Sequence, residues 1–109
     1  MKYKITDNQL ESVIFLYLDN QDFIQINTNN CIYFVNSEGD DYAQIRFDYR
    51  DGECVFEINL IKEISSFFSL DIYDSRNVIE DWVENKLQMK VGRVDYSIHS
   101  QPMMLRIPF

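Results

Sequence analysis

At 109 residues, with 46% hydrophobic and 15% aromatic side chains, the chain is long enough to bury one core and too apolar for a disordered tail. Its formal net charge of −8 argues against direct binding of nucleic acid, which is driven by Lys/Arg neutralisation of phosphates. The longest apolar run, "VIFLYL" at 13–18, falls well short of the ~20 residues that a membrane span needs.

The acidity is unevenly placed. Through residue 59 there are 11 acidic against 4 basic residues, and beyond it 7 against 6. The excess gathers in "DNQD" (19–22), "EGDD" (38–41) and "DYRDGE" (48–53), which keep a small protein in solution and would tolerate a basic partner. No linker or repeat divides the chain, so one domain over 1–109 is expected. "MKYKITDNQ" lacks the apolar stretch and cleavage site of a signal peptide. With two cysteines and no export signal, the expected location is a reducing cytoplasm, that of the host if the protein is viral. The single alanine, Ala43, amid abundant Ile, Asn, Asp and Tyr suits an AT-rich genome such as many phages have.

In "TDNQLESVIFLYLDN", Thr6 as N-cap with Gln9 three residues on forms a capping box. Leu10, Val13, Ile14, Tyr17 and Leu18 then recur at helical spacing, while Phe15 and Leu16 widen the apolar arc. "DFIQIN" (22–27) and "CIYFVN" (31–36) read as strands. Asp51-Gly52 predicts a two-residue type I′ hairpin between the strands on either side of it. That fold pairs Tyr49 with Cys54, Phe47 with Phe56, Ile45 with Ile58 and Ala43 with Leu60 on one apolar face. The opposite face then pairs Arg46 with Glu57, Arg50 with Glu53 and Gln44 with Asn59. A turn centred on Gly39 sets Val35 opposite Ala43, Tyr33 opposite Ile45 and Cys31 opposite Phe47. Cys31 and Cys54 would then share a face two strands apart, ~9 to 10 Å, too far for a disulfide. They are expected to be free core thiols.

"NLIKEISSFFSLD" sets Leu60, Ile61, Ile64, Phe67 and Phe68 on one helical face. "SRNVIEDWVENKLQMK" (75–90) does the same with Val78, Ile79, Trp82, Val83 and Leu87, capped by Asp74 or Ser75. Trp82 lies among the aliphatics, which predicts a core anchor. "VGRVDYSIHS" alternates Val94, Tyr96 and Ile98 against polar residues, a half-buried strand. "MMLRI" would return beside it, and "KYKI" could pair at an edge.

The expected fold is α+β: an N-terminal helix, an antiparallel meander of about four strands, two consecutive helices on its apolar face, and C-terminal strands. Helix, turn, helix and hairpin is also the order of a winged-helix DNA reader. The would-be recognition helix exposes Glu80, Asp81 and Glu84 where base- and phosphate-binding groups belong. No nucleotide-binding or hydrolase motif occurs, and His99, the only histidine, falls on the polar side of its strand. No catalytic residue, cofactor or metal site is therefore assigned, although Glu38, Asp40 and Asp41 form an acidic loop of the kind a hard cation accepts.

The one hint of function is a mixed patch expected on the outer sheet face. Ile32, Phe34 and Val55 would lie there among Arg46, Asp48, Arg50 and Glu57, a composition that interfaces favour. The expectation is a non-catalytic protein-binding or accessory protein, monomeric or dimeric, with an unidentified protein partner. The alternatives are an acidic mimic of nucleic acid that blocks a DNA- or RNA-binding protein, and an enzyme with an unfamiliar site.

Overall fold

The computed structural model describes residues 7–36 and 42–97. In chain order the elements are α1 (Asp7–Asp19), β1 (Ile24–Asn27), β2 (Cys31–Val35), β3 (Ile45–Asp48), β4 (Glu53–Glu57), α2 (Ile58–Phe68), α3 (Ile72–Leu87) and β5 (Arg93–Ser97). The strands form one mixed sheet in the order β1-β2-β3-β4-β5. The first four make the antiparallel meander. β5 returns parallel to β4, and the α2–α3 pair is the crossover that such a return requires. The class is α+β, with all three helices contributing to the core cluster on one sheet face.

That core is built from Ile14 and Leu18 of α1, Ile61 and Ile64 of α2, and Ile79, Trp82 and Val83 of α3. The sheet answers with Ile32, Phe34, Ile45, Phe47, Cys54 and Phe56. The apolar arc of α3 thus faces the protein's own interior. Its start lies earlier than the pattern indicates: Asp71 is the N-cap, accepting a hydrogen bond from the Asp74 backbone N–H at 2.7 Å. Ser75, expected as a cap, is buried one turn inside and donates its hydroxyl to the Asp71 carbonyl at 2.8 Å. Asp71 is as good a capping residue as Asp74 or Ser75, and with it as cap the helix gains three residues at its start.

The Asp51-Gly52 corner turns the chain, but through four residues, 49–52. Only Gly52 takes a positive φ (74°), and its N–H bonds the Asp48 carbonyl at 2.9 Å. Two aspartates explain the longer loop. Asp48 Oδ1 accepts from the Arg50 N–H and Asp51 Oδ1 from the Glu53 N–H, both at 2.9 Å, so side chains hold the turn that a type I′ pair would have formed alone. Phe47 therefore meets Cys54 and Ile45 meets Phe56, two residues from the expected register. A slip of two keeps every side chain on its face. Ile58, expected as a strand residue, instead opens α2, where Leu60 takes its place on the apolar helical face rather than opposite Ala43; the N-cap Glu57 accepts from the Asn59 N–H at 2.7 Å.

The β2–β3 pairing is a larger correction. Cys31 lies opposite Asp48, Tyr33 opposite Arg46, and Phe34 opposite Ile45, a slip of one from the expected register. One residue exchanges the two faces of a strand. Ile32 and Phe34 consequently point into the helix-covered core, while Cys31, Tyr33 and Val35 form a second buried cluster with Ala43 and Val55. All five residues of β2 are buried and none but Tyr33 carries a polar tip, so no alternation in its sequence could indicate which set turns inward. The two cysteines are free, as expected, but the sheet separates them.

The Thr6 cap, the Glu38, Asp40 and Asp41 loop, Ile98, His99, and the expected strands at "KYKI" and "MMLRI" lie outside the described residues.

Candidate interaction surface

The mixed patch expected on the outer sheet face has none of its apolar members in the open. Ile32 and Phe34 have left it, and Val55 is buried within the second cluster. The charges that remain are engaged inside the chain. Arg50 holds Asp48 through Nε at 3.0 Å and Nη2 at 2.7 Å. This forked ion pair keeps the Asp48 carboxyl low, at about 2, against the cost of its desolvation. Arg46 reaches Glu53 at 3.4 Å, and Glu53 also binds Arg93 across to β5. Glu57 is occupied in capping α2.

The open apolar surface lies on the helices instead. α1 carries only acidic charge, at Asp7, Glu11 and Asp19, and presents Val13 (48% exposed) and Leu16 (60%) to solvent. Val13 and Tyr17 are neighbours at i, i+4, and Val13 and Leu16 at i, i+3, so the three form one stripe. The Tyr17 ring continues it onto α2, with centroids 5.2 Å from Phe67 and 5.5 Å from Phe68. Phe67 belongs to the predicted apolar arc of α2, yet it is 68% exposed. The reason is geometric. An arc of five residues over two turns is wider than the contact that the sheet and two neighbouring helices provide, so its C-terminal edge overhangs. Across the short α2–α3 turn, Ile72 and Tyr73 are exposed as well, with the Arg76 guanidinium 5.3 Å from the Tyr73 ring.

Isolated exposed hydrophobics are ordinary, but an aromatic and aliphatic stripe running over two helices is not. Its rim is acidic. The Tyr17 hydroxyl is raised above its ordinary value by burial and by the neighbouring Glu63 carboxylate. Asp71 and Asp74 stand exposed at the start of α3.

Beside this stripe, two small open cavities flank Phe23. One, of about 120 Å³, is lined by the amides of Gln21, Asn36, Gln44 and Asn59 together with Leu60 and Glu63. The other, of about 160 Å³, lies between Asp19, Asp22, Gln25, Trp82 and Lys86. Both are smaller than the ~300 Å³ at which small-molecule sites begin. Among the described residues, no group of three His, Cys, Asp or Glu is arranged to hold a metal ion, and no helix is long and apolar enough to cross a membrane. Cys54 is no nucleophile in waiting, since burial pushes its thiol far up.

Reasoning from sequence passed over Leu16 and Phe67 because it counted both as core. The available signal was an excess of apolar positions over what one helix face can bury, on α1 and α2 alike. No protein-family model, curated protein or solved structure matches the chain.

Proposed function

We propose that the protein is a non-catalytic docking module whose Val13–Leu16–Tyr17–Phe67 stripe binds an amphipathic segment of a partner protein carrying basic residues at its flanks. The observation that carries this reading is the continuity of exposed aromatic and aliphatic side chains across α1 and α2, with the exposed carboxylates of Glu63, Asp71 and Asp74 on the same two helices and the turn between them. Tyrosine and phenylalanine supply large contact areas at low entropic cost, which is why interfaces are enriched in them. The carboxylates favour Lys and Arg on the partner and disfavour a second copy of this chain, which brings a net charge of −8 to the same contact.

Selection from a display library of random 16-residue peptides tests this. The enriched peptides should combine apolar residues at i, i+3/i+4 and i+7 with Lys or Arg. Phe67→Ser and Leu16→Ser should each weaken their binding by tenfold or more without altering the fold, the scale of a lost aromatic anchor. Enrichment of acidic peptides, or undiminished binding by both variants, would refute the proposal.

A second reading, in which carboxylates imitate a nucleic acid, draws on the outer side of α3. There burial, and after it repulsion from Glu84, raise both Glu80 and Asp81 above their ordinary values, and the three carboxylates stand on one helix. Salt separates the two readings. Mimicry should lose affinity steeply between low and moderate ionic strength, and an apolar stripe should lose little.

A further inference from the structure

The amide-lined cavity has a chemistry of its own. Its polar lining is four primary amides and one carboxylate, and no basic side chain lines it. Amide carbonyls and a carboxylate accept hydrogen bonds, so together they complement a flat group with many donors and a positive charge. Phe23 supplies an aromatic wall in the same cavity and is held in place by edge contacts to Phe34 at 6.4 Å and Trp82 at 5.9 Å. A guanidinium stacks on such a ring more readily than an ammonium does.

The cavity is also connected to the docking stripe. Gln21 and Glu63 both line it; Gln21 Nε2 donates to the Tyr17 carbonyl at 3.3 Å, and the Glu63 carboxylate neighbours the Tyr17 hydroxyl. A side chain seated in the cavity therefore lies beside residues that contact Tyr17, whose ring meets Phe67. A volume of about 120 Å³ admits the head of one side chain and little more.

We infer that this cavity is the socket for an arginine side chain of the docked segment, with Glu63 as counter-ion, the amide carbonyls as further acceptors and Phe23 as the stacking wall. The inference rests on the docking function proposed above and adds to it a residue the partner must carry. The competing second cavity is less suited, because the protein's own Lys86 already sits there, 3.8 Å from Asp19 and 6.0 Å from the centroid of the Trp82 ring.

The test is an amide-resolved NMR titration of the whole chain with N-acetyl-arginine-N-methylamide, beside its norleucine counterpart. The arginine compound should give saturable shifts in the side-chain amides of Gln21, Gln44 and Asn59, and the norleucine compound none. Glu63→Gln should weaken the arginine compound about fivefold, the scale of one partly exposed charge-assisted bond. Met89→Ser, an exposed change outside both the cavity and the stripe, should bind it unchanged. Equal shifts with norleucine, no saturable shift, or full affinity in Glu63→Gln would each overturn the socket. If the socket fails while Phe67→Ser still abolishes peptide binding, the docking face stands without it. If the arginine compound binds but no peptide does, the docking reading itself is lost.

Discussion

Asp48 and Gly52 together decide how the central hairpin closes, and each acts through a different kind of constraint. Gly52 sits at φ 74°, where a Cβ would lie 3.0 Å from the Gly92 nitrogen. The Gly92 N–H in turn bonds the Gly52 carbonyl at 2.8 Å, so the turn docks on the chain entering β5. Asp48 contributes a carboxylate that is buried, forked onto Arg50 and depressed to about 2. A depressed carboxyl stabilises the fold above its unfolded value of 3.8 and loses that contribution as pH falls towards 2. Glu80 and Asp81 oppose it. Their raised values make them favour the fold when protonated, so their contribution is present below the unfolded values and lost as pH rises through the folded ones. Asp48→Asn should therefore flatten the decline in stability between about pH 4 and about pH 2, read from urea midpoints across that range. An unchanged decline would mean that the Arg50 pair contributes nothing in solution.

At the scale of elements, what could be read in the sequence depended on how much contrast each segment carries. In α3, charged and apolar residues alternate sharply, and Ile79, Trp82 and Val83 are buried as their spacing implies. In the hairpin, alternation fixes which face Ile45 and Phe47 occupy, while the side-chain bonds of Asp48 and Asp51 shift the pairing by two without disturbing it. In β2 contrast disappears, and with it the ability to tell Tyr33 from Phe34 as the inward residue. The expected outer patch failed there, since two of its three apolar members depended on that choice. Nor does local pattern predict that β5 pairs parallel with β4, because such a contact depends on the path of both intervening helices. The α1–α3 junction was likewise out of reach. The Trp82 indole N–H donates to Asp19 at 3.0 Å across 63 residues of sequence, and Lys86 approaches the same carboxylate at 3.8 Å. A double-mutant cycle of Trp82→Phe with Asp19→Ala should give a coupling of about 1 kcal/mol, the usual net worth of such a bond. A coupling near zero would detach α1 from α3 in this account.

At the scale of the molecule, the sheet separates two clusters, and among the described residues Val13, Leu16, Phe67, Ile72 and Tyr73 stand exposed on the helices, with Tyr42, Tyr49 and Tyr96 exposed along the strands and turns. Folding alone gives no reason for this. Leu16, Phe67 and Tyr73 gain little from the fold, and they sit in a chain whose charge otherwise keeps it dispersed. The docking surface proposed above gives them a role. The whole account depends on this division between aromatic residues that build the fold and aromatic residues that it displays. The most direct measurement is the unfolding free energy of Phe34→Ala set against that of Phe67→Ala, by urea titration of each. Phe34 is 1% exposed and Phe67 is 68% exposed. The first substitution should cost about 3 to 5 kcal/mol and the second within about 0.5 kcal/mol of nothing. Comparable losses in the two variants, or a tolerated Phe34→Ala, would contradict the assignment of faces on which the proposed function stands.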